Sequence, residues 1–255
     1  MSAVRLELVP GGLARLTLAR PERKNAFDAA LVAELVMALA EIGPSTRAVV
    51  LAGEGDAFCA GADLGWMRSM ADYTREQNVA DSLTLAGMFR ALYDLPMPLI
   101  ARVQGAAIGG GAGLVAVADI AVASTEATFA FTETRLGILP AVVSPYVVRK
   151  IGAAHATALF VTGLGFDALR ALELGLVEAV EEPPQLDARV EAIVSAILAA
   201  GPRAVNAAKR LVREVEGRRP AEVVSLTVER IAEARVSAEG QEGMRAFLEG
   251  RPPRW

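Results

Sequence analysis

The 255-residue chain holds a single cysteine, Cys59, and a single histidine, His155. An intrachain disulfide is therefore excluded, and no metal site of the Cys/His type is expected. Lysine is almost as rare: Lys24, Lys150 and Lys209 are the whole set among 26 basic residues, the rest being arginine. We read that as composition bias rather than chemistry. Thirty acidic residues outweigh them, giving a net charge of −4, and no basic stripe runs along the sequence. Nucleic acid is thus not an expected partner. Long apolar runs are missing too. The nearest candidate for a membrane span, residues 105–124, is broken by five glycines and Asp119. The start, M-S-A-V-R-L-E-L, alternates like a strand and lacks the basic-then-apolar layout of a secretion signal. The expected location is cytoplasmic.

What is present is largely apolar. Hydrophobic residues make up 53% and mean hydropathy is +0.36, enough for a sizeable core and a hint of buried subunit interfaces. Period-two alternation on both sides of Pro10-Gly11-Gly12 predicts a β-hairpin over residues 4–19. Asp28 is placed to cap a helix carrying Leu31, Leu35 and Leu39. Strands are expected at 47–52, 98–104 and from Asp119, and one long helical stretch over 65–95. Ser144-Pro145 has the chemistry of a helix start, and Asp167 that of a cap for D-A-L-R-A-L-E-L. Beyond residue 185 only amphipathic helices remain, at 187–200, 202–216, 220–236 and a short last one with Met244, Phe247 and Leu248. The class is α/β. We divide it into a core, residues 1–190, and a helical C-terminal region, residues 191–255.

The stretch I-G-G-G-A-G-L, residues 108–114, places four glycines between a predicted strand and a buried helix. Its spacing is not G-x-G-x-x-G, and no acidic residue closes a second strand at the right distance, so a dinucleotide fingerprint is not supported. A P-loop needs Lys-Ser/Thr after the last glycine, where Leu114 stands. An oxyanion hole fits, because a second small-residue loop, Ala60-Gly61-Ala62-Asp63, offers another set of backbone donors. Close packing of helix on strand through glycine explains the local pattern equally well.

The ordered set of segments resembles the enoyl-CoA hydratase/isomerase family, the crotonase superfamily. The matching segments are RPERKNAF from Arg20, AFCAGADL from Ala57, VQGAAIGGG from Val103, DIAVA from Asp119, FAFTETRLGILP from Phe129, DALRALELGLV from Asp167 and EGMRAFLEGRPP from Glu242. They run in family order along nearly the whole chain. The resemblance implies a spiral core of repeated ββα turns, and C-terminal helices that build a homotrimer or a hexamer. It implies an acyl-CoA thioester as substrate, with no cofactor beyond the coenzyme A of that substrate and no metal. Carried over by position, the oxyanion donors are the backbone N–H groups of Ala62 and Gly110. The CoA-contacting segment falls on Lys24, Ala26, Ala60, Asp63 and Leu64.

In the family's hydratases two glutamates work on one water. Glu133 matches one of them, while the other position is occupied by Gly113. The expected activity is a hydro-lyase of the branch that keeps a single glutamate. The segments FCAGADLGWMRSM, GGGAGL and LGILPAVVSPYVV are similar to the methylglutaconyl-CoA and carboxygeranoyl-CoA hydratases of leucine and terpene breakdown. Alternatives are a Δ3-to-Δ2 enoyl-CoA isomerase and a non-catalytic CoA- or RNA-binding member of the family. Arg135 either pairs with a second carboxylate on the acyl group or forms a structural ion pair with Glu126 or Glu133. Phe129, Phe131, Leu136 and Ile138 are expected to surround Glu133 with apolar surface. Cys59 reads as a buried small residue, His155 as a helix residue, and Ser144 as a cap. Trp66, Met67 and Met70 fit either an acyl tunnel or the core.

Overall fold

The computed structural model describes residues 2–255. The predicted hairpin forms from β1 (Val4–Val9) and β2 (Leu13–Leu18), paired antiparallel about positive-φ Gly11 and Gly12. Asp28 accepts from the Leu31 amide and caps α1 (Ala29–Glu41), whose Leu31, Leu35 and Leu39 are buried, as the spacing predicts.

Three ββα turns follow. The first comprises β3 (Ala48–Gly53), β4 (Ala57–Cys59) and the helices α2 (Leu64–Ala71) and α3 (Arg75–Tyr93). The second comprises β5 (Leu99–Val103), β6 (Ala106–Ile108) and α4 (Gly110–Val117). The third comprises β7 (Ile120–Ser124), β8 (Thr128–Ala130), a 3-10 turn at Glu133–Leu136, and α5 (Ser144–Thr162). The chain then passes through β9 (Phe166–Asp167), α6 (Ala168–Glu173), capped by Asp167, and β10 (Ala179–Glu181). In each turn the first strand joins a six-stranded sheet of order β1-β2-β3-β5-β7-β10, and the second joins a four-stranded sheet of order β4-β6-β8-β9. Pairing is parallel except for β1–β2 and β8–β9. The chain thus winds from sheet to sheet as a ββα spiral, the expected architecture.

One face of the larger sheet contributes Leu16, Val49, Leu51, Leu99 and Ala101 to the main core with the smaller sheet and α4. Its other face buries Val50, Ile100 and Val122 beneath α7 (Leu186–Ala199), whose Leu186, Val190 and Val194 lie on both sides of position 190. The remaining helices are α8 (Pro202–Val215), α9 (Pro220–Val236) and α10 (Ala238–Leu248). No single helix among the described residues is long and apolar enough to cross a membrane.

Two local expectations are corrected. The stretch 65–95 is two helices, because Thr74 and Gln77 form a capping box that starts α3 afresh: the Gln77 amide donates to Thr74 Oγ1 and the Thr74 amide to Gln77 Oε1. Ser144 is not the cap of α5. It lies inside the helix start and its hydroxyl donates to the Ala141 carbonyl.

Candidate active site

Three loops leave the C-terminal ends of three neighbouring parallel strands, β4, β6 and β8. The pairs Cys59↔Ala107 and Ile108↔Ala130 set them side by side. Glycine makes the approach possible. A Cβ on Gly61 would stand 2.9 Å from the Ile108 carbonyl oxygen, and one on Gly111 only 2.1 Å from that of Cys59. Neither position has room for a side chain.

Phe27 fixes the first loop. Its amide donates to the Gly61 carbonyl and its carbonyl accepts from the Asp63 amide, a parallel bridge around Ala62. That pattern turns the N–H of Ala62 away from Phe27. The second loop enters α4 at Gly110, whose N–H belongs to the first helical turn and has no intrahelical acceptor. Among the described residues neither amide donates a hydrogen bond within the chain, and the N-terminal dipole of α4 favours negative charge beside the second. A Cβ on Gly110 would meet the Phe27 ring at 2.7 Å, so the bareness of this glycine accommodates Phe27. It is Gly109, at φ +53°, whose missing side chain leaves space for another site group.

The group that Gly109 faces is Glu133. A Cβ on Gly109 would lie 3.1 Å from Glu133 Oε1, so the carboxylate sits directly over the glycine that precedes α4. The Gly109 amide donates to the Ala130 carbonyl (2.8 Å), tying this loop to the strand that leads to Glu133. Glu133 is partly buried, and its Oε2 is inaccessible with no hydrogen-bond partner. Burial raises its pKa above the ordinary glutamate value, its own backbone amide opposing only in part. The apolar surround is only partly as expected. Phe129 and Phe131 are buried, but Leu136 and Ile138 are more than half exposed, because the 3-10 turn points them outward.

Gly113, the place of the second glutamate, is closed. A Cβ there would be 2.3 Å from Val143 Cγ1 and 3.2 Å from Phe89 Cε1. The missing carboxylate has not left a hole; Val143 and Phe89 occupy it.

Residues 9–255 match the sequence profile of the family described as enoyl-CoA hydratase/isomerase. The chain belongs to the enoyl-CoA hydratase/isomerase family. It is similar to an enoyl-CoA hydratase from Shewanella pealeana, at 38% identity, a TM-score of 0.94, and coverage of 99% of this chain and 96% of that one. It is similar to Pseudomonas aeruginosa AtuE at 37% identity and a TM-score of 0.93, over 98% of both chains. A curated relative, the mevalonyl-coenzyme A hydratase of Aspergillus fumigatus, is 34% identical over 94% of this chain and 90% of its own length. The chain is an enzyme of this family, and an acyl-CoA substrate is consistent with its relatives.

The segment expected to meet CoA lies beside Ala62. Lys24 is exposed, at φ +50°, and its carbonyl accepts from the Ala60 amide (2.9 Å). Leu64 is 72% exposed at the start of α2, whereas Ala26 is buried. Asp63 is already engaged: Oδ1 caps α2 through the Gly65 and Trp66 amides, and Oδ2 accepts from Arg23 (3.0 Å). Arg135 has no carboxylate within ion-pair distance among the described residues, so a pair with Glu126 or Glu133 is not formed. Its aliphatic stem rests 3.1 Å from where a Gly163 side chain would be. Cys59 is fully buried with its thiol pushed up to about 12, which removes it as a nucleophile. His155 is exposed on α5. Trp66 packs on the core and donates to Asp81.

Sequence reasoning overlooked Asn25 and Gln104. Asn25 is wholly buried at φ +54°; its Oδ1 accepts from the Arg20 amide and its Nδ2 donates to the carbonyls of Glu54 and Ala57. Gln104 Nε2 donates to the carbonyls of Gly53 and Ala57. Asn25 holds the loop carrying Lys24 against the strand that delivers Ala62, and Gln104 holds the connection between β5 and β6 against that between β3 and β4. The signal was present: asparagine is among the few side chains that tolerate a left-handed backbone.

Proposed function

We propose that this enzyme hydrates a branched or dicarboxylic 2-enoyl-CoA of the methylglutaconyl-CoA type with one glutamate as both base and acid. The observation that carries the reading is the Glu133 carboxylate over Gly109, one residue from the free Gly110 amide, with position 113 filled by Val143. The thioester oxygen accepts from the N–H groups of Ala62 and Gly110. Glu133 takes a proton from water as the hydroxide adds to C3, and the two donors stabilise the resulting enolate oxygen. Losing one such donor costs about 3–4 kcal/mol of transition-state stabilisation. The protonated Glu133 then returns the proton to C2, so one water is consumed and the carboxylate is regenerated. The CoA moiety lies along Lys24, Ala60 and Leu64, with Ala26 and Asp63 shaping the loop.

A groove of about 470 Å³ supports the place of the acyl group: it runs between α3 and the loop before α5, lined by Val79, Leu83, Ala86 and Val142 with Arg75 at its rim. Arg135, without a carboxylate partner, is the proposed reader of a second carboxylate on the acyl chain. The Aspergillus relative is a mevalonyl-CoA hydratase, and that acyl chain is branched but ends in a hydroxyl, so it supports the branched part of the reading and not the second carboxylate. Residues 1–190 form the acyl-CoA core. The helices beyond assemble a homotrimer or hexamer, a reading supported by Phe247 and Leu248 at 85% and 83% exposure on α10.

The substrate assignment is tested by kcat/KM on methylglutaconyl-CoA and crotonyl-CoA for wild type, Arg135→Ala and Arg75→Ala. Wild type prefers methylglutaconyl-CoA, and Arg135→Ala loses about tenfold or more on that substrate alone, as expected for one charge-assisted contact. Equal losses on both substrates reject the recognition role of Arg135. The competing reading, double-bond migration from Δ3 to Δ2, is favoured by the same lone carboxylate, which would shuttle a proton between two carbons.

A further inference from the structure

A second cavity, of about 440 Å³, opens at the start of β5 and β7 and the end of α4, between α5 and α8. The eight residues of α4, roughly 12 Å of helix, separate it from Gly110. Four cations line it, Arg149, Lys150, Lys209 and Arg213, against two carboxylates, Asp119 and Glu216. Two of the three lysines in a chain that otherwise uses arginine therefore face one cavity.

The carboxylates are already committed. Asp119 accepts from the Leu99 amide (2.8 Å) and pairs with Lys209 (2.5 Å) and, more loosely, with Arg213 (3.7 Å). Glu216 pairs with Arg149 (2.7 Å). Lys150 has no carboxylate within ion-pair distance among the described residues; its ammonium donates to the Ala118 carbonyl at the end of α4. Arg213 lies over the Tyr93 ring, 3.8 Å from its centroid, and its buried Nε has no partner. A buried cation without counter-charge, as Lys150 is, is costly, and a bound anion would offset that cost. Burial also pushes the Lys150 ammonium down to about 8, with Arg149 lowering it and Asp119 and Glu178 only partly opposing.

We propose that this cavity binds a small phosphate-bearing anion, held by Lys150, Arg149 and Arg213, at a site separate from the one that holds the acyl-CoA. Isothermal titration calorimetry of the full-length protein with inorganic pyrophosphate, against sodium chloride of matched ionic strength, tests it. The expected result is saturable binding at one site per chain, at least about tenfold weaker in Lys150→Met, as one lost charge-assisted contact implies. It is unchanged in Lys24→Asn, which removes the cation expected at the CoA loop. Should Lys150→Met fail to fold, Arg149→Gln probes the same cavity from its rim with the same expected loss. Absence of saturable binding overturns the proposal. So does equal affinity in the folded cavity variant, or loss of binding in Lys24→Asn alone.

Discussion

At the scale of single residues, Glu133 and the glycines around it decide the proposed chemistry. Glu133→Gln keeps the side chain's volume and removes its basicity. Turnover is expected to fall by about 10²–10⁴-fold while acyl-CoA affinity is retained, read from kcat and from a binding titration. The raised pKa has two consequences of opposite benefit. In the proposed mechanism Glu133 acts in its ionised form, so log kcat/KM is expected to fall as pH drops through a value above the ordinary glutamate range, an acid limb absent from the Gln variant. For stability the sign is the reverse of the common carboxylate case. The folded pKa exceeds the unfolded one, so ionisation of Glu133 opposes folding above the unfolded pKa and ceases to do so as the group is protonated. Glu133→Gln is thus expected to melt higher than wild type at pH 7, and a lower melting temperature would show that the carboxylate has a stabilising partner. The glycines were only half legible in advance. Four of them in seven residues signalled close backbone approach, but which glycine faces Phe27, Cys59, Glu133 or Val143 depends on long-range pairing that no local pattern encodes.

At the scale of elements, the helices and the longer strands were readable because their apolar spacing is long enough to repeat. The smaller sheet was not: β4, β6 and β8 have three residues each, too few for period two to register. Yet their pairing brings the three site loops together. Asn25→Ala tests the tie between the loop carrying Lys24 and the strand that delivers Ala62. It leaves the Glu54 and Ala57 carbonyls without this donor and should destabilise by about 1–3 kcal/mol, measured by denaturant unfolding. Because the tie sets the position of Ala62, kcat should fall with it. Gly113→Glu is informative in the other direction. With Val143 Cγ1 in the way it should destabilise by about 1–3 kcal/mol or more and gain no hydratase rate, and pairing it with Val143→Ala should recover stability.

For the whole molecule, the spiral and the family were legible because the matching segments occur in order along the chain, a pattern far more specific than any one of them. The assembly proposed above was implied by the resemblance and hinted at by a surplus of apolar residues; α9 and α10 carry exposed ones where it would form, Val224, Val228, Ile231 and Phe247 being about half or more exposed. If α10 carries the proposed contact, Phe247→Ser with Leu248→Ser should lower the mass read by light scattering toward that of a monomer. An unchanged mass would place the subunit contact elsewhere. The chemistry has a still more direct test, in which wild type and Glu133→Gln act on methylglutaconyl-CoA in heavy-oxygen water and the products are weighed. One heavy oxygen in the C3 hydroxyl of an intact CoA thioester is expected with wild type, and none with the variant. An unlabelled product with a migrated double bond, or label taken up equally by the variant, would contradict hydration by Glu133.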